Sequence, residues 1–361
     1  MSRASNSKQN EDKIFMQRCL QLAYHAIDTA APNPMVGAVV VHQGKIIGEG
    51  WHRKAGQPHA EPNAIRSVKN QELLKESTLY VSLEPCSHYG KTPPCADLII
   101  EKGIPRVVVG CEDPFPEVSG RGIRKLQEAG IEVVVGIERE ACQALNRQFF
   151  TYHLKKRPYI LLKWAQSADG YIDCLRESWD SPKLTVSDDY TSLLVHKLRH
   201  ESDAIMVGRR TALLDRPSLS VRNWPSQRKP LRVVLDRVGV LGPESLGAQH
   251  AQPTLVFTAS IAKRENNIEW VAGCQPEEIM QELYRRGIQR LLVEGGSQVH
   301  QSLLDLDLWD EIQIETAPII IGEGVHAPQL DPSIARAGNE YLVYSHQVGC
   351  HGHQIMHIVR K

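Results

Sequence analysis

His59-Ala60-Glu61 and Leu83-Glu84-Pro85-Cys86-Ser87-His88-Tyr89-Gly90-Lys91-Thr92-Pro93-Pro94-Cys95 are the stretches from which the rest of the chain can be read. His59, Cys86 and Cys95 offer an imidazole and two thiolates, a donor set suited to zinc, and three ligands leave a coordination position for water. Zinc in such an open site lowers the pKa of its water to about 7. Glu61 reads as a non-ligand carboxylate that takes a proton from that water and passes it to a leaving amine. The competing readings are a closed structural knot with His88 as fourth ligand, or unrelated core cysteines. A knot leaves no role for Glu61, nor for the turn over residues 33–37. The apolar run over 78–83 predicts a strand ending just before Cys86. His59 opens a helical pattern in which Pro62 falls in the first turn, where its missing amide costs nothing. Strand end and helix start together bring the three ligands to one end of a sheet.

The flanking sequence continues this alternation. A helix is predicted over 13–31, stopped by Pro32-Asn33-Pro34, then a hairpin from strands over 35–41 and 45–50. Helices over 96–102 and 122–129 alternate with strands over 106–110 and 131–135, and a polar helix over 138–156 ends at Arg157-Pro158. This predicts a three-layer α/β/α domain with a largely parallel sheet. A second α/β cycle follows, with strands over 159–164, 204–207, 232–236, 254–257, 290–293 and 311–317 and a C-terminal strand pair from Tyr341. Its helices fall over 188–200, 276–286 and 299–304.

A chain of 361 residues exceeds what one core usually serves, so two domains are expected. Lys+Arg and Asp+Glu both total 42, and that neutrality speaks against a nucleic-acid footprint. No apolar run approaches the length of a membrane span. Residues 1–12 are polar and read as a short disordered lead-in. Eight scattered cysteines suit a reducing compartment, with the cytoplasm as the expected location.

The His-x-Glu and Pro-Cys pattern matches the signature of zinc nucleobase deaminases, with one departure: eight residues, not two, separate Cys86 from Cys95. Pro32-Asn33-Pro34-Met35-Val36-Gly37, the extended cysteine loop, and Asp113-Pro114 through Gly120-Arg121-Gly122 resemble the riboflavin-pathway pyrimidine deaminases. The resemblance implies a phosphoribosylated diaminopyrimidinone substrate, held by Asn33, His52, His88 and Lys91. A lysine in a Gly/Pro-braced loop is a sensible phosphate ligand.

That family commonly carries a second, dihydrofolate-reductase-like domain, and the chain resembles it from Tyr159 on. The cues are Lys163, Ser167-Ala168-Asp169-Gly170, Val207-Gly208, Val234-Leu235-Asp236-Arg237 and Leu292-Val293-Glu294-Gly295-Gly296. The resemblance therefore implies a zinc-dependent pyrimidine deaminase domain over 13–150 and an NADPH-dependent reductase domain over 157–361. It implies substrate contacts from Lys183, Arg199, Leu219, Arg222 and Glu294. NADPH contacts would come from Ala165, Thr185, Thr211, Asp215, Arg237, Gly295, Gly296 and Ser297. Gly295-Gly296-Ser297 follows a strand and opens a helix, whose free amides can face an anion. Arg199 and Arg222 can clamp a phosphate. Arg237 reads either as a partner for the 2′-phosphate of NADPH or as an ordinary exposed arginine.

Three positions depart from the family pattern. Thr185 stands where an aromatic is usual, with Lys183 at a serine position, and Arg216 stands where Asn or Asp is usual; Trp179 lies earlier. The departures keep open a monofunctional deaminase whose second domain only binds or oligomerises. A nucleic-acid-editing deaminase is the more distant alternative. A small-molecule substrate, no nucleic acid, no membrane, and a homo-oligomer are expected. His351, His353 and His357 read as a solvated strand face, His196 and His200 as helix surface. Cys19, Cys111, Cys142, Cys174, Cys274 and Cys350 read as isolated, buried small hydrophobes.

Overall fold

Gly37–His42 is a valine-rich strand buried along nearly its whole length, and in a computed structural model of the chain it lies inside the first of two sheets. The structure describes residues 3–88, 93–115, 119–246, 252–259, 262–334 and 340–361, with backbone only for residues 3–7. The chain divides into two compact units, Met1–Lys156 and Arg157–Lys361.

The first unit runs α1 (Arg3–Tyr24), β1 (Gly37–His42), β2 (Lys45–Trp51), α2 (Ala60–Ser67), β3 (Thr78–Leu83), α3 (Cys95–Glu101), β4 (Arg106–Cys111), α4 (Arg121–Glu128), β5 (Glu132–Val135), α5 (Arg139–Leu145) and α6 (Arg147–Lys155), with a 3₁₀ turn over Gln71–Glu76. Sheet order is β2-β1-β3-β4-β5. Two apolar clusters, one around Val40, Ala64, Leu79 and Val107 and one around Met16, Val39, Tyr80 and Val108, cover its two faces and give the expected three layers.

Four expectations are corrected here. The sheet is mixed rather than largely parallel, because β1 pairs antiparallel with both β2 and β3 while β3, β4 and β5 run parallel. The polar lead-in is helical from Arg3, and the helix ends at Tyr24 instead of running to residue 31. Asp12 is buried in a bidentate ion pair with Arg106, at 3.0 and 2.8 Å, and accepts the Tyr80 hydroxyl at 2.8 Å. That partner lies far along the chain, beyond the reach of local composition. The helix expected over 138–156 breaks at Asn146, whose side chain brackets Met35 with two 2.8 Å hydrogen bonds, one to its N–H and one to its carbonyl. The bracket anchors the segment just after Asn33.

The second unit comprises β6 (Tyr159–Ser167), β7 (Tyr171–Asp173), α7 (Asp189–His200), β8 (Ala204–Gly208), α8 (Arg209–Asp215), β9 (Leu231–Asp236), β10 (Thr254–Thr258), β11 (Lys263–Glu265), β12 (Ile268–Ala272), α9 (Pro276–Arg285), β13 (Arg290–Gly295), α10 (Ser297–Asp305), β14 (Glu311–Ala317), β15 (Val325–His326), β16 (Tyr341–Val348) and β17 (His353–Arg360). Its large sheet is ordered β11-β12-β10-β9-β8-β13-β6-β14-β17-β16. From β12 to β14 every pairing is parallel, and β11, β17 and β16 add antiparallel edges. Among the described residues no helix is long and apolar enough to cross a membrane.

The histidine and cysteine expectations also change. His196 and His200 are buried: His196 Nδ1 accepts the Arg222 amide at 3.1 Å, and His200 Nδ1 meets Ser226 Oγ at 2.6 Å. His353 is buried against Glu315, and His357 is sandwiched between Tyr344 and His346, so this strand face is not simply solvated. Cys174 and Cys274 are half-buried and Cys350, in the β16–β17 turn, is exposed. Cys111 and Cys142 lie side by side, and the hydrogen bond between them pushes the Cys111 thiol up, so neither is isolated.

Candidate active sites

Gly48 and Gly50 on β2 let α2 approach closely, since a Cβ on either would run into the helix backbone. This close approach seats α2 against β2, with His59 as its N-cap residue and Glu61 in its first turn. Cys86 leaves the end of β3, and Cys95 opens α3. His59 Nδ1 lies 3.5 Å from Cys86 Sγ and 3.4 Å from Cys95 Sγ. All three donor atoms fall within 4.8 Å of one another. The Cys95 amide donates to Cys86 Sγ at 3.3 Å.

Electrostatics match this geometry. Hydrogen bonding from Cys95 and His59 pulls the Cys86 thiol down to about 4, and the shared proton pushes Cys95 up. The hydrogen bond to Cys86 lifts His59 to about 9. The triad thus holds thiolate character before any cation arrives, and a divalent ion displaces the remaining protons. Glu61 is buried, and burial lifts its carboxyl to about 7. One nitrogen and two sulfurs at this spacing fit zinc with a position to spare. His88 is exposed and lies outside the cluster of donor atoms, which removes the closed four-ligand knot.

Asn33 Nδ2 donates to His52 Nε2 at 3.1 Å, and His52 Nδ1 donates to the Pro58 carbonyl at 3.1 Å, a pattern that fixes the neutral tautomer. Burial lowers the His52 pKa, in keeping with that tautomer. The His52 ring stands edge-on to His59, with centroids 5.4 Å apart. Asn33 and His52 are therefore brought to the metal triad; Lys91 lies outside the described residues.

In the second unit Glu294 ends β13 and grips Arg199 of α7 bidentately, both bonds 2.6 Å. Arg199 also donates to the Ser220 carbonyl at 3.2 Å, while Arg222 donates to Ser220 Oγ at 3.0 Å and to Ser218 Oγ. The two arginines expected to clamp a phosphate thus meet at Ser220, with Arg199 already engaged by a carboxylate. Leu219 between these serines has φ +51° and a side chain buried in the core, so only its backbone faces outward contacts.

Gly295 packs on Thr211, whose side chain a Cβ would crowd, and Gly296 takes φ +88° at the start of α10. Ser297, Thr211 and the Gly-Gly turn therefore share one corner. Asp215 at the end of α8 pairs with Arg176 at 2.6 Å and with Lys183 at 3.8 Å, tying the loop that carries Lys183 and exposed Thr185 to this helix. Arg216, one of the departures from the family pattern, lies over the Trp179 ring at 4.5 Å. Ala165 is half-buried on β6, and Arg237 is exposed just beyond β9.

The sequence reading did not single out Glu84, Arg176 or Glu315. Glu315 accepts from Lys163 at 3.1 Å, Ser187 at 2.7 Å and His353 at 3.0 Å. Its signal was the alternation of Glu311, Gln313 and Glu315 with Ile312 and Ile314, a polar face on a strand that lies inside the sheet.

Residues 9–111 match the zinc-binding region of cytidine and deoxycytidylate deaminases, and residues 158–339 match the RibD C-terminal domain. Fold and site thus define a zinc-dependent deaminase joined to an NADPH-dependent reductase. The chain is 42% identical over 325 residues to riboflavin biosynthesis protein RibD of Aquifex aeolicus (strain VF5), covering 87% of this chain and 89% of that one. Its identity to the Escherichia coli (strain K12) RibD is 36% over 336 residues, 86% of this chain and 89% of that one. Among solved structures it resembles the diaminohydroxyphosphoribosylaminopyrimidine deaminase/5-amino-6-(5-phosphoribosylamino)uracil reductase of Thermotoga maritima, with TM-score 0.83, 37% identity and coverage of 98% and 100%. The chain belongs to the RibD family, the bifunctional deaminase–reductases of riboflavin biosynthesis, and carries both domains. This likeness along the whole chain decides against a second unit that only binds partners or RNA.

Proposed function

We propose that the first unit deaminates a diaminohydroxyphosphoribosylaminopyrimidine and the second reduces 5-amino-6-(5-phosphoribosylamino)uracil, the compounds named for the Thermotoga maritima protein. The observation that carries this reading is the His59, Cys86 and Cys95 triad, with its donor atoms within 4.8 Å and Glu61 buried beside it. When bound, zinc supplies the Lewis acidity that makes water a nucleophile near neutral pH. Glu61 takes the proton of the attacking water and delivers it to the amino group, which leaves as ammonia while the ring carbon gains a carbonyl oxygen. Asn33 keeps its amide oxygen for the pyrimidine, because its Nδ2 is spent on His52. The resemblance alone assigns His88 and Lys91 to the phosphoribosyl end of the substrate.

When bound in the second unit, NADPH would supply the hydride for C1′ of the ribosyl chain. The C1′–ring-oxygen bond opens and that oxygen takes a proton, leaving an open ribityl chain. Lys163 and Glu294 directly follow Leu162 and Val293, the last residues of the β6–β13 pairing, so the two stand level where those strands part. Glu315 accepts from the Lys163 ammonium and is itself held by the Ser187 hydroxyl. The Gly295–Ser297 turn offers amides to the cofactor's phosphates, with Thr211 beside it. Asp215, Lys183 and Thr185 line the adjoining loop, and Arg199 and Arg222 hold the substrate end.

The reading includes a cytoplasmic homo-oligomer, supported by eight unpaired cysteines and by the resemblance; light scattering on the pure chain should give a mass above 40.5 kDa. Zinc-loaded protein should release ammonia from the diaminopyrimidine without NADPH, and should oxidise NADPH only once the deaminated compound is present. Absence of ammonia from this substrate would overturn the proposal.

A further inference from the structure

Glu84 sits between the end of β3 and the ligand Cys86, buried, and the catalytic reading gives it nothing to do. Its carboxylate is surrounded by backbone amides. Oε2 accepts from the Asp113 N–H at 3.2 Å and the Gly120 N–H at 2.9 Å. Oε1 accepts from the Gly122 N–H at 2.9 Å and the Ile123 N–H at 3.3 Å. Four donors on two oxygens use every in-plane acceptor position a carboxylate has. Three of these amides belong to the start of α4, whose free N–H groups and dipole favour an anion there.

Backbone packing adds a second constraint. A Cβ on Gly122 would run into the carbonyl oxygen of Pro85, so the chain immediately before Cys86 rests on the first turn of α4. Gly120, at φ +71°, turns the segment so that its amide reaches Glu84. On its other side Cys86 is held by α3, where the Ala96 amide donates to the Cys86 carbonyl at 3.1 Å and the Cys95 amide to its sulfur. The ligand is clamped between two helix starts, and Glu84 makes the clamp on the α4 side.

We infer that Glu84 is a positioning residue of the metal centre: by docking the Pro85-Cys86 backbone on the start of α4, it sets where the Cys86 thiolate stands relative to His59 and Cys95. The inference rests on the zinc reading of that triad. Glutamine is the diagnostic replacement. It preserves size, yet it turns one oxygen into an NH2 group that faces two N–H donors.

The test measures zinc affinity of the whole apo-chain by chelator competition, and the thiolate-to-metal absorption of the cobalt-substituted protein. Cys86→Ser serves as the control that removes a ligand. Circular dichroism and the urea midpoint of the first unit report that it is folded, and NADPH oxidation on the deaminated substrate reports the same for the second. Glu84→Gln should weaken zinc binding by roughly 10- to 100-fold, the range for residues that orient a ligand, and should shift the cobalt band while NADPH oxidation persists. Glu84→Asp keeps all acceptor positions on a stem shorter by a methylene and should fall between wild type and Glu84→Gln. Zinc affinity and cobalt spectrum unchanged in Glu84→Gln would overturn the inference, as would equal loss in both variants. If Glu84→Gln does not yield folded chain, Glu84→Asp decides, and unchanged affinity there overturns it. A wild-type chain that binds no zinc would instead sink the metal reading itself.

Discussion

Chemistry-bearing residues in this chain differ in how far along the sequence their partners lie. His59, Glu61, Cys86 and Cys95 could be read directly, because donor type and short spacing already imply a cation site. Glu315 could not, since its partners Lys163, Ser187 and His353 come from other strands and loops. For the same reason His196 and His353, read as exposed, are buried next to polar partners that only the fold supplies. Glu315 carries a prediction. Burial raises its pKa, but the Lys163 ammonium and the hydroxyls of Thr191 and Ser187 outweigh that, so the folded value lies below the ordinary 4.5. A carboxyl depressed in the fold adds stability that is fully present above the unfolded value and is lost as pH falls through the folded one. Lys163, His353 and Asp188 are the charged or titratable groups around it. Glu315→Gln should lower stability at pH 7 by about 3 kcal/mol, because it leaves a buried ammonium unpaired. It should also flatten the decline below about pH 4.5. Urea midpoints of the second unit against pH check both, and parallel curves for the two proteins would refute the assignment.

At the level of elements, long periodic segments were legible and short or bent ones were not. The strands of the central sheets and helices α2, α7 and α9 fall close to where apolar spacing puts them. The short strands β7, β11 and β15 and the two-turn helix α8 carry too few residues to show a period. The break between α5 and α6 was invisible because Asn146 leaves helical geometry to bracket Met35, a contact 111 residues away in sequence. The loop after β7 gives the element-scale prediction. Arg176 is buried in it and ties Asp173 and Asp215 together, with a further bond to the Leu214 carbonyl at 3.3 Å. Removing that tie frees the segment carrying Lys183 and Thr185 from α8. Arg176→Ala should raise KM for NADPH about tenfold, the worth of one charge-assisted hydrogen bond of roughly 1.5 kcal/mol. Ammonia release should be untouched. Steady-state kinetics of the two half-reactions separate the outcomes, and equal loss of both would mean a general folding defect instead.

For the molecule as a whole, length and the change of pattern near residue 157 pointed to two units, and the compact units divide between Lys156 and Arg157. Each unit holds its own polar cluster: a soft-donor triad with a buried carboxylate in one, and Gly-Gly, arginine and lysine groups around a parallel sheet in the other. Neither cluster contains the groups the other reaction needs, so a single chain performs the deamination and the reduction at separate sites, in that order. The most direct measurement follows ammonia and NADPH together, in one vessel, for the wild-type chain and for Glu61→Gln. Wild type should release ammonia and oxidise NADPH in equal amounts, with ammonia leading. Glu61→Gln should keep its zinc, lose ammonia release by at least about 100-fold, and oxidise NADPH at the wild-type rate once given the deaminated compound. Ammonia release retained by Glu61→Gln, or NADPH oxidised by wild type ahead of ammonia, would contradict the account.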